Sequence, residues 1–334
     1  MNRHSNYLFV AVGRLGSAAE SSERTRSVPY FSTYSDLKSL RKRKGAEQLM
    51  AISQLSLSSL MLTPILSLPG GGDEEMSVAT GFIVQHDSRN YLITNWHVVS
   101  GRRSDDGQPL ASHGALPDKI KIWHNHIGMP NLISWVPTVE RLVDDEGAPL
   151  WLEHPRFGRK VDAIALPLSI TTGISFMPFS LEDGSSGNAV LTADVPDSVN
   201  IIGFPFGESA AARIAIWAKG SIATDMEVDY GSLPCFLIDS RTRQGQSGSP
   251  VVVYKGPSDN GRLTNGSVIM GGGIMSRLLG VYSGRINRES DLGKVWKASA
   301  ISEILQHGVP GNRDLTAPPP GFVTFQARDS SPSS

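Results

Sequence analysis

The chain has one cysteine, Cys235, among 334 residues. An intrachain disulfide is therefore excluded, the fold must be held by its core, and the compartment need not be oxidising. Long apolar runs are also missing. The most apolar stretch, Leu55 to Leu68, is broken by serines and by Pro64 and is too short to span a bilayer as a helix. A surplus of charge is lacking too. The 31 Lys and Arg against 32 Asp and Glu leave a formal net charge of −1, so no global field holds nucleic acid or an anionic membrane. Glycine (34) and proline (21), by contrast, are plentiful, which favours many turns between short strands. At 40% apolar and 19% charged residues the composition suits a soluble globular chain, long enough for two ordinary domains or one large one.

Both ends read differently from the middle. Residues 1–46 are rich in serine and arginine and close near Arg41-Lys42-Arg43-Lys44; they are expected to be a flexible extension, with the basic run a solvated surface. The apolar hexapeptide Tyr7 to Val12 is cut short by Arg14 and makes no convincing signal peptide, which tilts the location slightly toward the cytoplasm. Residues 309–334, with prolines at 310 and 318 to 320 and a Ser/Pro-rich end, are expected to be a disordered tail.

Between the ends the pattern is mostly strand. Thr80 to Val84 and Tyr91 to Thr94 flank Asp87-Ser88-Arg89-Asn90 as a hairpin does, and Lys119 to Trp123 alternates polar and apolar. Val161 to Leu168, Val199 to Gly203, Arg213 to Ala218, Phe236 to Asp239, Pro250 to Tyr254 and Leu278 to Tyr282 add further strands. Only Ser299 to His307 has clear helical periodicity, with Ser299 placed to cap and Gly308 to stop it. An all-β architecture follows, with the loop-rich stretch from Leu168 to Pro196 as the crossing between two halves, and Cys235 expected to pack.

Three segments carry chemistry. Gly245-Gln246-Ser247-Gly248-Ser249-Pro250 places a serine between glycines. A hydroxyl is a weak nucleophile that needs a base and an oxyanion site, and a glycine turn lets backbone N–H groups, here those of Gly245 and Ser247, converge beside it. Thr94-Asn95-Trp96-His97-Val98-Val99 sets His97 where a strand ends, and imidazole is the natural base near neutral pH. Val161-Asp162-Ala163-Ile164 opens an apolar strand with Asp162, which is reasonable there if its carboxylate holds an imidazole. The order His, Asp, Ser is that of the chymotrypsin arrangement and of neither the subtilisin nor the α/β-hydrolase arrangement.

On these motifs the sequence resembles the trypsin/chymotrypsin-like serine peptidases, in their cysteine-poor bacterial branch, over roughly residues 55 to 308. The resemblance implies two antiparallel six-stranded barrels, at about 55–168 and 196–298, with a C-terminal helix at 299–307, all within a peptidase domain at 47–308. It implies catalysis by His97, Asp162 and Ser247 in the cleft between them, an oxyanion hole from Gly245 and Ser247, a polypeptide substrate, and no cofactor or metal. Ile202-Gly203-Phe204-Pro205-Phe206-Gly207 is similar to a segment common in bacterial members. Tyr282, Ser283, Gly284 and Arg285 resemble the strand that lines the primary pocket and pairs with substrate, closest to that of glutamyl endopeptidases and exfoliative toxins. In those enzymes a histidine stands at the place of Tyr282, and Thr242 matches a threonine that helps bind an acidic side chain. Arg241 and Arg285 are candidates to replace the charge of that histidine. Gln246 stands where digestive enzymes carry an aspartate, so their zymogen switch is not expected.

Two other readings compete. His124 and His126 would share one face of a strand and could hold a metal if His154 or an acidic neighbour completed the set. The same fold could also serve as a catalytically inactive binding module.

Overall fold

The computed structural model describes residues 52–112, 114–126, 134–181, 189–210, 213–271, 273–287 and 289–312. The expected extension at 1–46 and most of the expected tail lie outside these residues.

Two antiparallel assemblies make up the structure. The first holds β1 (Ser59–Ser67), β2 (Asp73–Glu75), β3 (Ala79–His86), β4 (Arg89–Thr94), β5 (Lys119–Asn125), β6 (Trp135–Arg141), β7 (Leu152–Glu153) and β8 (Ile164–Pro167). The second holds β9 (Ser198–Gly203), β10 (Ile216–Ile222), β11 (Cys235–Asp239), β12 (Pro250–Lys255), β15 (Met275–Arg285) and β16 (Leu292–Lys297). A small ribbon of β13 (Asn260–Arg262) and β14 (Val268–Met270) projects from it, and β17 (Val309–Pro310) follows the helix Ala298–His307.

The second assembly is a closed six-stranded barrel, as the family resemblance implies, in the order β10-β11-β16-β15-β12-β9. The first departs from expectation. It is a nine-stranded sheet along the path β17-β7-β8-β4-β3-β1-β5-β6, with β2 paired to β1, and no strand pairing closes it among the described residues. Its path ends in β17 and the two-residue β7 on one side and in β6, paired to β5, on the other.

Continuous apolar runs explain how the halves meet. Antiparallel strands facing water on one side alternate in character, but Phe82-Ile83-Val84 and Val251-Val252-Val253 do not, because both faces are covered. Ile83 and Leu92 point into the first assembly with Leu62, Ile120, Ile122 and Trp151. Val251 and Val253 point into the second barrel with Ile201, Phe236 and Ile238. The residues between them in register, Phe82, Val84, Ile93, Ile202 and Val252, form a third core between the halves, with Cys235, Trp296 and the inner face of the C-terminal helix. Cys235 is fully buried there, and burial pushes its thiol up to about 11, so it packs as a neutral group.

Several local expectations change. The hairpin turn is only Asp87-Ser88, both at positive φ, as a tight two-residue connection between twisted strands requires. The strand after Asp162 starts at Ile164, so Asp162 lies in the turn before it, where Ala163 N–H bonds to Val161 O at 2.7 Å. Arg213 to Ala215 precede β10 and are not part of it. Ser299 lies inside the C-terminal helix, whose first flanking residue is Lys297, with no side-chain cap. The chain stays ordered past Gly308: Val309 and Pro310 pair with Glu153 and Leu152.

Glu153 ties this last strand to the rest. It is buried, and its Oε1 accepts Trp96 Nε1–H (2.8 Å), Trp151 Nε1–H (3.1 Å) and the N–H of Asn312 (3.0 Å). Burial raises its pKa above 4.5 against the opposing pull of these donors. The folded state therefore holds the Glu153 proton more tightly than the unfolded chain, and this group's contribution to stability declines as pH rises through the raised pKa. The Glu153→Gln variant keeps the acceptor and removes the charge. In thermal melts it is expected to exceed the wild type most at about pH 8, with the gap closing as pH falls toward 4.5; a gap that widens on acidification contradicts this.

Candidate active site

The first half supplies His97 and Asp162. His97 sits on the five-residue helix Trp96–Ser100 that follows β4 and ends on Gly101 in the left-handed region. Asp162 is buried and meets it twice: Oδ1 accepts the His97 backbone N–H (2.9 Å) and Oδ2 accepts Nδ1–H (2.7 Å). An ionised carboxylate only accepts, so the proton lies on Nδ1 and Nε2 is left as the basic nitrogen. Asn95 locks the backbone of the pair by donating Nδ2–H to the Asp162 carbonyl at 2.7 Å. Burial alone would lower the His97 pKa, but the charge and hydrogen bond of Asp162 outweigh it and hold the pKa above 6.5. Burial would raise Asp162, but His97 and the donors around the carboxylate hold it below the ordinary range.

The second half supplies the serine loop. Gly245 and Gly248 have φ of +92° and +84°. A Cβ on Gly245 would meet Phe204 O at 2.2 Å, and one on Gly248 would meet Thr80 O at 1.9 Å, so conformation and space both demand glycine. Among the described residues the N–H groups of Gly245 and Ser247 have no hydrogen-bond partner. Gln246 is buried and shapes the loop, its Oε1 accepting the Arg243 N–H at 2.7 Å.

Thr80, on β3 of the first half, holds this loop. Its N–H donates to Ser247 O (2.8 Å), its Oγ1–H donates to Gly245 O (2.8 Å), and Oγ1 accepts the Phe204 N–H (3.2 Å). Its own carbonyl accepts Thr94 Oγ1–H at 2.8 Å. Sequence reading missed Thr80. Its only signal is a polar residue inside an apolar strand and beside a glycine.

Ser283 joins the two groups. A bulge in the pairing of β15 with β16 falls between Tyr282 and Gly284, which leaves Ser283 without a registered partner and turns it inward. Its Oγ–H donates to Asp162 Oδ2 (2.6 Å), and its carbonyl accepts Ser247 Oγ–H (3.4 Å). Ser247 and the His97–Asp162 pair thus share Ser283. Among the described residues no hydrogen bond joins Ser247 Oγ to His97; Ser247 Oγ–H is directed to Ser283 O instead. On the side facing β12 the pairing ends at Val281–Pro250, so Ser283, Gly284 and Arg285 present a strand edge toward the loop.

Of the other expected pocket residues, Thr242 and Tyr282 are buried and their hydroxyls are hydrogen-bonded together. Burial raises the Tyr282 pKa, and Arg285, itself exposed, acts on it in the opposite sense. The Arg241 side chain is 83% exposed and lies 3.7 Å from Asp291. The histidines weighed as metal ligands are not brought together. His124 is buried and kept neutral, its pKa lowered by burial to about 4. His126 is exposed beside Ser134, and His154 faces Glu303. No group of three or more His, Cys, Asp or Glu suited to a metal occurs among the described residues.

Residues 79–256 match the sequence profile of the trypsin-like peptidase domain family. The solved structures similar to this chain include the Rv3671c protease in an inactive form, at 16% identity and TM-score 0.41, covering 75% of this chain and 88% of that one. The active form of the same M. tuberculosis protease is 15% identical with TM-score 0.41, covering 89% and 97%. No curated protein matches the chain.

Two substitutions test this geometry. Thr80→Val strips partners from Gly245 O and Phe204 N–H; it is expected to cost roughly 1–3 kcal/mol in denaturant titrations, while Thr80→Ser retains the wild-type value. Asp162→Asn removes the charge that raises His97, so NMR titration should find the imidazole pKa lowered relative to wild type. An unmoved His97 titration means that the pair does not form in solution.

Proposed function

Since the chain belongs to the trypsin-like peptidase domain family, we propose that it is a serine endopeptidase working through an acyl-enzyme. The observation that carries this reading is the two-point grip of Asp162 on His97, with Asp162 linked through Ser283 to Ser247, on a loop whose Gly245 and Ser247 N–H groups have no partner among the described residues.

In this mechanism Ser247 Oγ attacks the scissile carbonyl carbon and its proton passes to His97 Nε2. The carbonyl oxygen becomes an oxyanion held by the N–H groups of Gly245 and Ser247, each such donor contributing roughly 3–4 kcal/mol to the transition state. The C–N bond then breaks and His97 gives the proton to the leaving amine. Water, deprotonated by His97, releases the acyl group and restores Ser247. Asp162 stays ionised and stabilises the imidazolium formed in each half-reaction. The peptidase unit spans 47–312, since Val309, Pro310 and Asn312 complete the first half, and the strand edge at Ser283, Gly284 and Arg285 pairs with the substrate backbone before the scissile bond. The hydroxyl pair of Thr242 and Tyr282 forms the floor of the primary pocket, and the charge of Arg285 beside it favours an acidic side chain there.

Because the base must be neutral, activity is present above the His97 pKa and falls as pH drops through it, at a value higher than 6.5. A fluorophosphonate probe is expected to label the full chain at Ser247 and to fail on Ser247→Ala. Peptide cleavage in that variant is expected to drop on the order of 10⁶-fold. A peptide library should place Glu or Asp ahead of Lys before the cut. Folded wild-type protein that takes up no probe would instead identify an inactive binding module.

A further inference from the structure

Phe206 stands out beside the serine loop. It is 67% exposed, and its backbone is left-handed at φ +56°, ψ +19°. That conformation strains a bulky residue and costs glycine nothing. Folding gains little from a phenyl ring here, since the ring is mostly in water and its backbone is strained. Scattered exposed apolar residues are ordinary, but this one is tied to the reacting centre. The Phe206 N–H donates to Gln244 O, and Phe206 N and Gly207 N both lie 3.1 Å from where a Gly245 Cβ would be. Val78, half-buried, lies against Gly207 on the same turn.

Its side of the site follows from the hydrogen bonds. The serine loop is flanked at its Gly248–Ser249 end by Tyr282, through Gly248 N–H to Tyr282 O and Tyr282 N–H to Ser249 O. At its Gly245 end it is flanked by Phe204 to Gly207. The Ser283–Arg285 edge takes the acyl side of the substrate, so the Phe206 turn lies toward the leaving-group side.

We infer that Phe206 is a specificity residue that receives an apolar side chain from the first two residues after the scissile bond. This inference rests on the endopeptidase reading. Covering an aliphatic side chain against the ring favours it over a polar one by about fivefold to tenfold.

The test is a peptide library varied at the two positions after the cut, read as relative kcat/KM with the full chain. Wild type is expected to prefer Leu, Ile, Met or Phe over Ser, Asp or Lys by that factor. Phe206→Ala and Phe206→Gly should flatten the preference, and Phe206→Tyr should keep it. The glycine variant suits the left-handed backbone, so it tests the ring even if the alanine variant folds poorly. Peptide cleavage with no apolar preference after the cut overturns the inference alone, as does a preference that survives in Phe206→Gly. No cleavage of any peptide by wild-type protein overturns the endopeptidase reading and this inference with it.

Discussion

One threonine carries the junction between the halves. Thr80 lies in the first assembly, yet its amide and hydroxyl hold two carbonyls of the serine loop and one amide of the segment behind it. These groups are buried, so each would be costly to leave unpaired. The loop is consequently fixed by the opposite half and by the two glycines that let it approach so closely. The serine loop is thereby referenced to β3, whose Thr80 also bonds Thr94 at the end of the strand that leads to His97.

The lack of disulfides is met by the same architecture. The halves share a third core, so the central strands are buried on both faces and bury more apolar area per residue than a one-sided sheet allows. Strands that seat the candidate site residues are also strands of that shared core. β4 runs from Tyr91 and Ile93 in the shared core straight into the His97 helix, and β12 begins two residues after Gly248. Rigidity at the site is thus a by-product of what holds the protein together.

Much of this was legible in the residues. Period-two and apolar-run patterns located β3, β4, β5, β9, β11, β12 and β15 because burial dictates those patterns directly. The His97, Asp162 and Ser247 segments, which the structure brings together, could be picked out because the chemistry proposed for them needs particular residue types beside particular turns. Other elements were hidden for physical reasons. β1 contains Pro64, which speaks against a central strand, yet Pro64 is in register with Ile120 and its carbonyl takes the Met76 N–H. β7 and β17 are two residues each and carry no period. The roles of Thr80 and Ser283 depend on partners far along the chain, which spacing does not encode. The open first sheet was hidden for the same reason: closure is set by pairing between distant edges.

The two ends of the described chain cross over. The short helix Gln54–Ser58, which leads into the first sheet, docks on the second barrel, where Ser56 Oγ accepts Trp217 Nε1–H at 2.7 Å and Ser56 O accepts the Ala215 N–H. The C-terminal helix and β17 leave the second barrel and complete the first sheet at β7 and Glu153. During synthesis, then, the half made first lacks its edge strand and a partner for a buried carboxylate until residues near 312 emerge from the ribosome. Neither half is complete alone, and the candidate site is assembled only once residues near 312 have joined the first sheet.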